Sequence, residues 1–139
     1  MILVDTNVIS ELWRIAPDPG VLAWVDAQAI ETLYLSAVTV GELRFGVASM
    51  PQGRRRTVYQ ERLEREVLPA FTGRVLPFDL DASQAYASLM ARARRDGKAI
   101  GMADGCIAAT ASSRALIVAT RDVAPYLAAR VKVINPWES

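Results

Sequence analysis

The sequence predicts an α/β fold three layers deep, with helices on both faces of a central parallel sheet of about five strands. Two observations carry that prediction. Short apolar runs recur along the chain, each followed by a stretch of helical periodicity, and this alternation builds a parallel sheet. The first run, Ile2-Leu3-Val4, is continuously apolar, as a strand buried on both faces must be. The 139 residues are 52% hydrophobic and 22% charged, so one domain over 1–139 with a substantial core is expected.

Taken in order, Ile2-Leu3-Val4 is the first strand and runs straight into Asp5-Thr6-Asn7. Thr6 to Trp13 reads as a short helix, and Pro17-Asp18-Pro19-Gly20 breaks it. A second helix, about Gly20 to Ala29, puts Val21, Trp24 and Val25 on one face; Leu33 to Ser36 is strand two. Thr39-Val40-Gly41-Glu42 has capping-box spacing, so the next helix is expected to open there and to stop at Pro51-Gln52-Gly53. A long amphipathic helix from about Arg54 to Phe71 would bury Val58, Leu63, Val67 and Leu68. Its charges lie in solvent, with Glu61 and Arg65 at supporting i,i+4 spacing. Val75 to Phe78 is strand three, and Pro77 argues for an edge or a strand end. A helix begun by Asp81, read as its N-cap, runs to about Arg95 with Ala85, Leu89 and Ala93 inward; Asp79 is a bystander. After the turn Asp96-Gly97-Lys98 come a small-residue helix, Ala103 to Ser113, and strand four, Leu116 to Thr120. A short helix near Asp122 to Ala129 and strand five, Val131 to Ile134, close the chain.

Several chemistries are excluded outright. With no histidine, Ser-His-Asp and Cys-His catalysis and His-ligated zinc are out of reach. The lone Cys106 forms no internal disulfide, suits a reducing compartment and reads as a small buried hydrophobe. No basic region precedes the N-terminal apolar run and no stretch approaches a membrane span, so a cytoplasmic protein is expected. The net charge of +1 argues neither for nor against nucleic acid. Arg54-Arg55-Arg56 is a solvated face before it is a phosphate site. No dinucleotide fingerprint occurs. Asn7 stands where a dehalogenase-type phosphatase needs a second Asp, and Lys132 falls inside a strand, unlike the late Lys of a receiver domain.

Carboxylates remain. Asp5 follows strand one and Asp122 follows strand four, at the strand ends where open α/β sheets bind ligands. Glu42 shares a helix face with Thr39, Phe45 and Gly46; Asp104 shares one with Ile107, Ala108 and Ala111. Each has a local alternative: Asp5, Asp104 and Asp122 as helix caps, Glu42 as the second half of its box. An acid on an apolar face nevertheless needs a cation. All-oxygen coordination selects Mg²⁺ or Mn²⁺, which support in-line displacement at phosphorus. Arg14, Arg44 and Arg121 are candidate phosphate contacts, with plain surface placement equally open.

These residues carry a resemblance. Asp5-Thr6-Asn7, Glu42 within Thr39-Val40-Gly41-Glu42-Leu43, Asp104 within the segment Ala103 to Ala111, and Thr120-Arg121-Asp122 look like the PIN-domain ribonucleases. Among them the chain most resembles VapC-type toxins of bacterial toxin–antitoxin pairs, in the FitB-like branch, with support from Gly73 to Asp79 and from Asn135-Pro136-Trp137. The resemblance implies a three-layer α/β/α PIN-like fold and Mg²⁺- or Mn²⁺-dependent cleavage of RNA. It also implies that Asp5, Glu42, Asp104 and Asp122 bind the metal, with Thr6, Asn7 and Thr120 beside them. Implied partners are RNA, a second copy of the chain, and a small DNA-binding antitoxin through which the pair reaches operator DNA. Many relatives carry Thr-Arg-Asn with an acid further on, so a metal contact of Asp122 through water is one reading. The alternative to an active toxin is a weakly active scaffold that chiefly holds the antitoxin and tightens its operator binding.

Overall fold

The computed structural model describes residues 1–138. Its sheet has five strands in the order β3-β2-β1-β4-β5. These are β1 (Ile2–Val4), β2 (Leu33–Ser36), β3 (Val75–Leu76), β4 (Ile117–Ala119) and β5 (Val133–Ile134). Every pairing is parallel, with Val4 opposite Ala119 and Ile2 opposite Leu33. Chain order reverses between β1 and β4, and the crevice beyond the carboxyl ends of those two strands is where such a sheet binds ligands. Among the described residues the α-helices are α1 (Thr6–Leu12), α2 (Pro19–Asp26), α3 (Ala37–Ala48), α4 (Arg54–Arg62), α5 (Leu68–Ala70), α6 (Leu80–Arg95), α7 (Met102–Ser113) and α8 (Val123–Ala128).

Helices cover both faces, as continuously apolar strands require. One core cluster joins Leu3, Leu89, Ile107, Val118 and Tyr126, and the other joins Val4, Val8, Val21, Leu35 and Leu63. Adjacent residues of β1 thus point into different cores, which is why the strand is apolar throughout. Along α7, Gly105 lets α6 approach closely: a Cβ there would meet the Met90 sulfur at 2.9 Å. No helix among the described residues is long and apolar enough to cross a membrane.

Several local expectations change. The helix after β2 opens at Ala37, not Thr39, because the buried Ser36 is its N-cap and accepts the Thr39 N–H at 2.9 Å. Caps of this kind contribute about 1 kcal/mol. Glu42 is thereby released from any capping box. Likewise α6 is capped by Asp79, which accepts from Ala82 N at 2.9 Å, and not by Asp81. The second helix ends at Asp26, and a 3₁₀ turn, Ile30–Thr32, leads into β2.

The predicted long helix spans its expected range but contains a π-helical turn, Leu63–Val67, before Pro69. Val58 is 48% exposed, against expectation. It stands five residues from Leu63, about 140° around a helix. Tyr59, four residues from Leu63, takes the inward position and packs on Trp13 with ring centroids 5.8 Å apart.

Candidate carboxylate site

The register of β1 and β4 delivers Asp5 and Thr120 side by side. Asp5 N donates to Ala119 O at 2.9 Å, continuing the ladder one residue past the strand. Asp5 is 4% exposed, and both carboxylate oxygens are held. Thr6 N donates to Oδ1 at 2.8 Å, and the buried Thr120 hydroxyl donates to Oδ2 at 2.8 Å. Asn7 locks the same corner. Its Nδ2 donates to Thr120 Oγ1 at 3.2 Å and reaches Asp5 Oδ2 at 3.5 Å, while its Oδ1 accepts from Arg121 N at 3.3 Å. Thr120 Oγ1 also accepts from Asp122 N at 3.0 Å. Thr6, Asn7 and Thr120 therefore fix the Asp5 carboxylate and tie the two strand ends together.

The remaining acids converge on this corner from three helices. Glu42, one turn and a half into α3, accepts the Thr6 hydroxyl at 2.7 Å; the Thr39 hydroxyl lies 3.2 Å from that of Thr6. Asp104 lies in the first turn of α7, half-buried, and no side chain caps that helix. Asp122 occupies the N-cap position of α8 but makes no capping hydrogen bond. Of the local alternatives, only that for Asp5 is realised, since it does accept the Thr6 N–H at the start of α1. All four acids line one cleft of about 480 Å³, shared with Arg121 and Trp137. A larger groove, about 970 Å³, begins at Thr6 and Glu42 and runs along α3 to Tyr59.

Among the four acids the electrostatics are one-sided. Burial raises the Asp5 pKa, against the hydrogen bonds from Thr120 and Thr6 that hold it down. Burial raises that of Asp104 too, followed by the charges of Asp5, Asp122 and Glu42. Ion pairs among the described residues join Arg14 to Glu11, Arg44 to Glu64, Arg114 to Asp79 and Arg130 to Asp96, and none reaches the four acids. Of the candidate phosphate contacts, Arg44 is drawn off by a bidentate pair with Glu64 at 2.8 and 3.0 Å. Arg14 pairs with the buried Glu11 at 3.3 Å. Arg14 and Arg121 both line the cleft, and the Arg121 guanidinium lies 5.3 Å from the centroid of the Trp137 ring.

Clustered carboxylates without a basic partner suit a hard divalent cation, which takes oxygen ligands. Among the described residues no three acids stand close enough to form a ready ligand set, so binding would draw the side chains inward. The residue that sequence reasoning missed is Tyr126 on α8. It is fully buried, its hydroxyl has no hydrogen-bond partner among the described residues, and burial followed by the charges of Asp5 and Asp104 drives its pKa far up. The available signal was its position one turn after Asp122.

A parallel sheet reversing between β1 and β4, with acids from a strand end and three helices meeting at the reversal, defines the class: a three-layer α/β/α domain with a carboxylate cleft. The chain belongs to the PIN-domain family, whose profile matches residues 2–131. It is 67% identical over 138 residues to VapC ribonuclease Y4jK of Sinorhizobium fredii, covering 99% of each chain. It is 52% identical to Toxin FitB of Neisseria gonorrhoeae, again over 99% of each. Among solved structures, FitAcB from Neisseria gonorrhoeae superposes with a TM-score of 0.97 at 51% identity over the full length of both chains. FitAB bound to the IR36 DNA fragment gives a TM-score of 0.96 at 50% identity, over 99% of this chain and 96% of that one.

Proposed function

We propose that this chain is a metal-dependent endoribonuclease, the toxin of a toxin–antitoxin pair, acting as one domain over 1–139. The observation that carries the proposal is the convergence of Asp5, Glu42, Asp104 and Asp122 on one cleft without a basic partner. It is joined to 67% identity with a protein named as a VapC ribonuclease. Asp5, Glu42 and Asp104 would hold Mg²⁺ or Mn²⁺, with Asp122 reaching it directly or through water. A bound ion of this kind activates water and neutralises phosphate charge in an in-line displacement.

The chain's own residues supply the rest. Thr120, Thr6 and Asn7 keep both Asp5 oxygens oriented, so the acid is fixed before anything binds. Thr6 orients Glu42 in the same way. Arg121, held over Trp137 at the rim, presents a planar cation to an RNA phosphate. With water activated by the ion, no protein base would be required, which suits a chain without histidine.

The test is cleavage of single-stranded RNA by the purified chain, freed of antitoxin, with Mn²⁺ or Mg²⁺ and with chelator. Cleavage that requires the ion is expected; cleavage undiminished by chelator contradicts metal dependence.

A second reading is favoured by a specific finding: a structure 50% identical in sequence is a FitAB complex bound to DNA. In that reading the chain, as a dimer, chiefly holds a small DNA-binding antitoxin on operator DNA. Operator affinity of the antitoxin that is unchanged when this chain is omitted excludes it.

A further inference from the structure

Tyr126 poses a problem that the fold does not solve. Its ring is 0% exposed and belongs to the core cluster with Leu3, Ile107 and Ala108. A core position that needed only volume would be filled equally well by Phe. Instead the chain buries a hydroxyl that has no partner among the described residues, although buried tyrosine hydroxyls ordinarily find one.

The surroundings indicate what the hydroxyl faces. Tyr126 follows Asp122 by one turn of α8, which packs against α7, the helix that carries Asp104. The charges of Asp5 and Asp104 act on the phenol more strongly than that of Glu42. Its ring shares a core cluster with Leu3, two residues before Asp5 on the same face of β1, and with Ile107 and Ala108, one turn beyond Asp104 on α7, so the hydroxyl lies on the core side of these two carboxylates and forms a hydrogen bond with neither. Asp5 already accepts from Thr6 N, Thr120 Oγ1 and, at 3.5 Å, Asn7 Nδ2; a carboxylate offers about four acceptor sites, so Asp5 keeps one and Asp104, which accepts none among the described residues, has more room for a further donor.

We propose that Tyr126 is a positioning residue for the Asp5–Asp104 pair: its hydroxyl donates to a carboxylate oxygen when the two acids close on a divalent cation, and so fixes their orientation. The inference rests on the metal-binding reading given above and extends it from the acids to the residue behind them. Outer partners of metal ligands orient them in this way and are worth about 10- to 100-fold in metal affinity.

The experiment compares the wild-type chain with Tyr126→Phe, which keeps the ring and removes only the hydroxyl. Mn²⁺ affinity is read by calorimetry, and thermal melting is read in chelator. The expected result is a Kd for Mn²⁺ weakened by about tenfold. In chelator the variant should melt at or above the wild-type temperature, because an unsatisfied buried donor has been removed. A purely structural tyrosine gives the opposite pattern, a lower melting temperature in chelator, and that result overturns the proposal. Mn²⁺ affinities of the two proteins within twofold of each other also overturn it while leaving the metal site intact. No Mn²⁺ binding by the wild-type chain removes the metal-binding reading itself, and this inference with it.

Discussion

Asp104→Asn is expected to lower RNA cleavage at saturating Mn²⁺ by at least about a hundredfold, with the chain still folded. Even outer partners of a metal ligand are worth up to about a hundredfold, and Asp104 is read as a ligand itself. The loss corresponds to about 2.7 kcal/mol of barrier. The fold should survive, because Asp104 caps nothing and its charge is opposed by Asp5, Asp122 and Glu42. Removing that charge relieves repulsion, so melting in chelator at neutral pH should be unchanged or slightly higher. Single-turnover cleavage beside a thermal melt separates the two effects. Retention of full activity, in a preparation free of other nucleases, contradicts the role given to Asp104.

Mn²⁺ is expected to raise the melting temperature by about 10 °C at a free concentration a hundred times its Kd. Binding to the native state alone contributes about 2.7 kcal/mol at that concentration, and each kcal/mol is worth roughly 4 °C for a domain of this size. The effect should vanish in Asp104→Asn. In chelator the pH dependence has a definite sign. Asp5 and Asp104 both titrate above their usual range in the folded chain, so folding takes up protons between the unfolded and folded pKa values. Their contribution is fully favourable below the unfolded value, about 3.9. It is lost as pH rises through the raised folded values. Relative to wild type, Asp5→Asn should flatten this decline. A melting curve for Asp5→Asn parallel to that of wild type across this window contradicts the account of Asp5.

The sequence disclosed the sheet and the acids for the same reason: both are local patterns. Ile2-Leu3-Val4 announces a doubly buried strand, and an acid directly after a strand falls at its carboxyl end wherever the strand lies in the sheet. What stayed hidden was choice among neighbours of similar chemistry. Ser36 and Thr39 are both hydroxyl residues, as Asp79 and Asp81 are both acids. Where β2 ends, and where the loop before α6 turns, decides which one caps. The π-helical turn at Leu63–Val67 has no periodic signature over so few residues. Tyr126 was illegible for a different reason. Its meaning comes from Asp5, 121 positions earlier in the chain and brought near only by the pairing of β1 with β4. Arg44 shows the converse: close in sequence to Glu42, it is taken up by Glu64 on the neighbouring helical segment.

The most direct test of the central claim, that these carboxylates form a divalent-metal site, is anomalous diffraction at the manganese edge from crystals grown with Mn²⁺. An anomalous peak is expected in the cleft, with oxygens of Asp5 and Asp104 at about 2.1 Å and Glu42 or a bridging water completing the set. A cleft without an anomalous peak at saturating Mn²⁺, or a peak only at surface acids away from Asp5, contradicts it.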